Sequence, residues 1–183
     1  ISTQGVLSEY SDQETIPKTG LIVIGGKSRH YHFRKNVLSQ QIEWLLNDIF
    51  KDYKWKITTS PRSPNLNQPS HPGNAEFYSW KDTAEDWLSN EMMRSEVTFL
   101  TPESVSVLYE GLSTKTMVYV FHHENHIDDQ YGSKRKTKVT RNINKLKKQG
   151  HIGYIDSKQH MLSRSIKSAE IIHPQKNIHL KEV

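Results

Sequence analysis

The sequence predicts an α/β fold, a Rossmann-like and mainly parallel sheet with helices on both faces. Three observations predict it. Short β-branched runs alternate with amphipathic stretches along the 183 residues, the order of successive strand–helix–strand units. The best-defined run, Leu21-Ile22-Val23-Ile24, is apolar at every position, as a strand buried on both faces must be. Residues rich in Gly, Ser, Thr and Arg follow the strand candidates, and ligands of such sheets bind at the carboxyl ends of strands.

Residues 1–19 are polar, with Pro17 near their end, and read as an interdomain linker or tail; 20–183 reads as one Rossmann-like domain, long enough for a full core. The first strand, Leu21 to Ile24, enters a turn at Gly25-Gly26. Val37, Leu38, Ile42, Leu45, Leu46 and Ile49 then share one helical face. Lys54 to Thr59 is a second strand, with Trp55 and Ile57 alternating, and Pro61, Pro64, Pro69 and Pro72 mark a loop-rich stretch. Ala75 to Ser79 is a third strand candidate, Thr83 to Met93 a helix, and Glu96 to Leu100 a fourth strand. Thr101 is placed to cap the next helix, with Pro102 just inside it, and Val105, Leu108 and Leu112 share a face of that helix. Met117 to Phe121 is a fifth strand. Lys138 to Gln149 reads as a helix ended by Gly150, Ile152 to Ile155 as a last strand and His160 to Ala169 as a last helix.

Composition narrows the function classes. There is no cysteine, so disulfides and thiolate metal sites are excluded and nothing argues for secretion. No apolar run approaches the roughly 20 residues of a membrane-spanning helix, and no targeting segment is visible; a cytoplasmic location is expected. The net charge of +5 is local: eight basic and no acidic residues lie between Lys134 and Lys148, and the remainder carries 17 basic and 20 acidic residues. That segment reads first as a solvated helix face, then as a contact for an anionic membrane surface. It contains no aromatic residue, so a base-stacking nucleic-acid surface is not expected.

Three strand-end loops carry the candidate chemistry. Gly25-Gly26-Lys27-Ser28-Arg29-His30 offers a close backbone approach to phosphate, a hydroxyl and two cations. It lacks the spacing of either common phosphate-loop motif, and a plain strand-to-helix turn reads equally well. Thr58-Thr59-Ser60-Pro61-Arg62-Ser63-Pro64 offers hydroxyls and an arginine suited to an anion, or a proline-braced turn. Thr101-Pro102-Glu103-Ser104-Val105-Ser106 precedes a helix whose free N–H groups suit a pyrophosphate. Glu110, further along that helix, suits the two hydroxyls of a ribose, or is a surface glutamate.

Taken in order, these segments resemble the mitochondrial fission ELM family. Leu21 to Phe33 resembles its opening strand and turn. Thr58 to Pro64 matches its Thr-x-Ser-x-Arg-x-Pro element. Ser104-Val105-Ser106 with Glu110 matches its helix start and glutamate, and Lys138 to Gly150 its Lys-rich helix. The resemblance covers about residues 20–155. It implies the carboxy-terminal half of a GT-B glycosyltransferase-like architecture, in which two Rossmann-like domains face a cleft. By that resemblance Gly25, Gly26, Ser28, Arg29, Ser60 and Arg62 line the diphosphate, Ser104 and Ser106 bind phosphate at the helix start, and Glu110 holds the ribose. The implied ligand is a nucleotide-diphosphate sugar, a donor substrate rather than a cofactor, with no metal. The chain begins at Ile1 rather than Met, and a missing amino-terminal domain is the expected partner. Without it a glycosyltransferase activity is not expected of this chain alone, and no catalytic residue is assigned. The alternative expectation is a non-catalytic adaptor of the same family. Two departures stand out: Lys27 where family members often carry proline, and Thr114-Lys115-Thr116 where they carry Gly-Lys-Pro.

Members of that family are often labelled nucleoside-diphosphate-sugar epimerases. Tyr31-His32-Phe33-Arg34-Lys35 matches the Tyr-x-x-x-Lys spacing of such enzymes, but it follows the first strand, where they bind cofactor phosphates, so the match reads as chance. His122, His123, His126 and Asp128 form a polar cluster without a helical metal-ligand spacing and read as a solvated loop. His30 and His32 flank the first loop as candidates for an anion in the cleft or for packing beneath the turn. Trp44, Trp55, Trp80 and Trp87 read as core or interface residues, with Trp80 the one nearest the expected nucleotide base.

Overall fold

The computed structural model describes residues 13–64, 73–124, 137–156 and 161–163. Its strands are β1 (Ile16–Ile24), β2 (Lys54–Thr59), β3 (Ala75–Tyr78), β4 (Ser95–Leu100), β5 (Met117–Val120), β6 (Gly153–Asp156) and β7 (Met161–Ser163). They form one sheet in the order β3-β2-β1-β4-β5-β6-β7. The first six are parallel, with Ile22 of β1 opposite Ile57 of β2 and Phe99 of β4; β7 alone runs antiparallel, against β6. This is the doubly wound α/β arrangement expected from the sequence, with its chain reversal between β1 and β4.

The helices are α1 (Lys35–Trp44), α2 (Trp87–Arg94), α3 (Val105–Leu112) and α4 (Lys138–Lys148). Alternation along the strands divides the core into two layers. Ile22, Ile24, Trp55, Ile57, Val97, Phe99, Tyr119 and Phe121 face α1, packing on Leu38, Ile42, Leu45 and Leu46. Leu21, Val23, Leu100, Val118 and Val120 face the other way, onto Met92 of α2, Leu108 and Leu112 of α3, and Ile143 and Leu146 of α4. Every central strand thus buries both faces, which is why its sequence is apolar at consecutive positions. Trp55 is buried because Gly20 leaves room for it: a Cβ at Gly20 would lie 2.3 Å from the Trp55 ring.

Several boundaries differ from expectation. β1 begins at Ile16, inside the segment read as linker or tail, and its register shifts between Ile16 and Gly20. After Trp44 the first helix widens into a π turn, Leu45–Ile49, closed by Phe50 N–H donating to Leu45 O at 2.8 Å. The wider turn rotates Ile49 off the apolar face, and it is 42% exposed. The second helix starts at Trp87 rather than Thr83. Met161–Ser163, read as part of a helix, is instead the antiparallel edge strand, paired through Tyr154–Ser163 and Asp156–Met161; residues 164–169 of that expected helix lie outside the described residues. The basic helix is as expected, with Thr137 Oγ1 accepting from Thr140 N–H at its start and Gly150 at φ 73° just past its end. Its flanking basic residues 134–136 are outside the described residues, as are His126 and Asp128.

Candidate functional site

Because β1 to β6 are parallel, all their carboxyl ends lie on one edge, and the three candidate loops follow the adjacent strands β2, β1 and β4 there. The loops touch. The Ser63 hydroxyl donates to Ile24 O at 2.6 Å, tying the β2 loop to the end of β1. Gly25 N–H donates to Thr101 Oγ1 at 2.7 Å, tying β1 to the β4 loop. Both glycines are needed for that closeness. A Cβ at Gly25 would lie 1.9 Å from Glu103 Oε1, and one at Gly26 would lie 1.9 Å from the Arg62 carbonyl oxygen. Neither glycine adopts a positive φ, so what selects glycine is space beside neighbouring loops rather than backbone freedom.

The predicted hydroxyls are part of this scaffold. Ser28 Oγ accepts from His30 N–H at 3.1 Å and Tyr31 N–H at 3.3 Å, shaping the turn after β1. Ser60 Oγ accepts from Arg62 N–H at 3.3 Å and contacts Ser63 Oγ at 3.1 Å, and Ser60 N–H donates to Ser63 Oγ at 2.8 Å. Arg29 and Arg62 are exposed on the loop surfaces. Ser104 sits at the start of α3 and its side chain makes no capping bond there. Thr101, expected to cap α3, instead joins β1 to Glu103: its hydroxyl accepts from Gly25 N–H and donates to Glu103 Oε1. Ser106 is exposed on α3. Glu110 lies about 9 Å along the helix from Ser104 at 1.5 Å per residue, and its Oε1 accepts from the Ser89 hydroxyl of α2. The structure therefore brings Gly25, Gly26, Ser28, Ser60, Arg62 and Ser104 to one edge, while Glu110 faces the neighbouring helix.

One central residue went unassigned in the sequence. Glu103 is 7% exposed and its Oε1 accepts from the Thr101 hydroxyl at 2.7 Å. Burial pushes its carboxyl above the usual glutamate value, opposed by the Thr101 hydroxyl, its own N–H, the Arg62 charge and the Gly26 N–H. Tyr31, also buried, has its phenol pushed up by burial and by the Glu103 charge. The only hint in the sequence is an acid two residues past a strand-end threonine, which ordinarily reads as a helix-dipole partner.

A fourth loop braces the edge. His32 N–H donates to Glu124 O at 2.8 Å, Arg34 pairs with Glu124 at 2.7 Å, and Phe33 meets the His123 ring edge-on at 5.5 Å. The Gln41 side chain of α1 bonds both the N–H and the C=O of His122, at 2.8 and 3.1 Å. Burial lowers the His123 pKa to about 4, with a further contribution from His122. A histidine depressed in the folded state contributes stability that is full above pH 6.5 and is lost as pH falls toward 4. His123→Leu is expected to flatten that part of a melting-temperature–pH series. An unchanged slope over that window would remove His123 from the account.

Trp80, in the loop after β3, is 40% exposed with the Lys81 ammonium 5.7 Å from its ring. A cavity of about 540 Å³ opens at the opposite, amino edge beside Lys54, Tyr53, Asn74 and Arg94. Ligands of parallel sheets bind outside the carboxyl ends of the strands where the strand order reverses, which favours the joined loops over this cavity. Among the described residues no cluster of His, Asp and Glu could hold a metal ion, and no helix is long and apolar enough to cross a membrane.

Strand order, parallel register and joined loops define a Rossmann-like α/β domain with a candidate ligand edge at its switch point. The chain belongs to the mitochondrial fission ELM1 family, whose model matches residues 6–173. Comparison with curated proteins and with solved structures gives no match.

Proposed function

We propose that this chain binds a nucleoside diphosphate, carried as a nucleotide-diphosphate sugar, along its carboxyl edge, and that it is the donor half of a GT-B-like glycosyltransferase-type protein completed by an amino-terminal domain. The observation that carries the reading is the direct contact of the β1, β2 and β4 loops at the β1/β4 switch point. In this reading the start of α3, with Ser104 and Ser106, offers backbone N–H groups to the phosphates. Arg62 and Arg29 add charge that would stabilise a leaving diphosphate, and Glu110 would receive the ribose hydroxyls by giving up its Ser89 partner. The acceptor, and any base that activates it, would come from the second domain, and catalysis from closing the two around the donor.

Titration of the chain with uridine, guanosine and adenosine diphosphates by calorimetry tests this. Glu110→Ala is expected to weaken the preferred nucleotide about tenfold or more, since a lost charge-assisted hydrogen bond is worth about 1.5–3 kcal/mol. Equal affinity in the variant would remove Glu110 from the site.

A second reading, a non-catalytic adaptor that kept the fold, is favoured by one specific observation. The Glu103 carboxylate lies among the donors that a phosphate would use. Absence of binding to every nucleotide by the folded chain and by its Glu103 variants would favour that reading.

A further inference from the structure

The Gly25–Gly26 loop is already filled, and by a carboxyl group of the protein itself. Glu103 reaches back from the β4 loop and lies against Gly25 closely enough that one added methyl would overlap its Oε1. The Thr101 hydroxyl, which accepts from Gly25 N–H, donates onward to that same oxygen. Burial disfavours the charged form of this carboxyl, and the Gly26 N–H and the Arg62 charge work against that. A convergence of backbone N–H groups, a hydroxyl and a guanidinium is what a phosphate site offers.

We infer that Glu103 is the resident occupant of this anion nest, and that a diphosphate enters only as the Glu103 side chain is withdrawn. The inference rests on the nucleotide-binding reading above and adds a competitor to it. Two negative groups cannot share one buried set of donors, because like charges a few ångströms apart in a poorly solvated site repel strongly. The resident is also incompletely held. Among the described residues its Oε2 is buried with no hydrogen-bond partner, and an unsatisfied buried oxygen is costly. The carboxylate therefore stays desolvated with half its accepting capacity unused, and turning outward restores its hydration. Arg62, exposed at the mouth of the loop, can then exchange a carboxylate for a phosphate. Of the groups that bear on the carboxylate, Arg62 comes from the β2 loop and Tyr31 from the β1 loop. The raised Tyr31 phenol is neutral near pH 7, which leaves Arg62 the counter-charge to be won.

The test is calorimetric titration of the full chain with inorganic pyrophosphate and with uridine, guanosine and adenosine diphosphates, in the wild type, Glu103→Gln and Glu103→Ala, each checked for folding by circular dichroism. Expected is a gain of about tenfold or more in affinity for pyrophosphate and the preferred nucleotide in the folded variants. Affinity equal to or below wild type in both overturns the competition while leaving the nucleotide reading intact, since wild type still binds. Binding by none of the three proteins overturns both. An arm needing no variant follows the Glu103 side-chain carboxyl carbon by NMR in the wild type. It is expected to shift under saturating pyrophosphate, and an unmoved resonance with pyrophosphate bound overturns the inference.

Discussion

Phe99→Ala is expected to lower stability by about 3–5 kcal/mol, as buried aromatic truncations do, which for a chain of this size is a fall in melting temperature on the order of 10 °C. Phe99 is fully buried at the middle of β4. Its ring stacks on Tyr119 at 4.8 Å and 11°, and lies 5.5 Å from Phe121, 5.9 Å from Phe50 and 6.0 Å from Trp55. One truncation therefore removes contacts to β2, to β5 and to the end of the π turn together. Aromatic pairs add about 0.5–1.5 kcal/mol beyond area burial, and rings held on neighbouring strands cannot collapse into the space. Phe99→Leu, which keeps much of the volume, should cost less than half as much. Thermal unfolding followed by circular dichroism measures both, and near-equal melting temperatures for Phe99→Ala and wild type would contradict this account of the core. The effect should extend to the site, because β4 runs from Phe99 through Leu100 directly into Thr101.

What the sequence reveals of this molecule is what depends on local periodicity. Leu21 to Ile24, Lys54 to Thr59 and Met117 to Val120 are strands because their side chains suit a sheet covered on both sides, and the Lys138–Lys148 helix has its stop signal, Gly150, just past its own residues. The misreadings occur where distant partners outweigh local ones. Met161–Ser163 is a strand because its backbone pairs with Tyr154 and Asp156, a pairing that three residues of side chains do not announce. Thr101 looks like a cap beside Pro102, yet its hydroxyl serves Gly25, 76 residues away. Ile49 fits the helical stripe until one π turn shifts the phase.

The candidate site divides in the same way. Its loops are legible as strand ends rich in Gly, Ser and Arg, and their common edge follows from parallel strands. Glu103 is not legible. An acid just before a helix reads as a partner of the helix dipole, and only the adjacency of β1 and β4 turns it against Gly25. The sequence explains the two glycines by backbone freedom toward a phosphate, whereas the space they leave is taken up by Arg62 and Glu103.

That difference is measurable. Gly26→Ala is expected to cost about 2–3 kcal/mol or more, because its Cβ would lie 1.9 Å from the oxygen and 2.3 Å from the carbon of the Arg62 carbonyl, backbone atoms that move only if the β1 and β2 loops part. Gly25→Ala meets the far end of a side chain, Glu103 Oε1 at 1.9 Å, and secondarily Thr101 Oγ1 at 2.9 Å. Its cost should therefore fall in a Glu103→Ala background, with a coupling on the order of 1 kcal/mol in a double-mutant cycle. Gly26→Ala should show no such relief. Gly73→Ala, where an added Cβ meets nothing within 4 Å, is the control and should stay within about 0.5 kcal/mol of wild type. Denaturant unfolding of the six variants yields the cycle. If Gly25→Ala costs the same with and without the Glu103 carboxylate, that side chain does not fill the space beside Gly25 and is not the occupant of the loop. If the coupling appears at Gly25 alone, two adjacent glycines are held by different neighbours, one by a backbone that cannot yield and one by a carboxylate that can, and only the second can open the loop to a ligand.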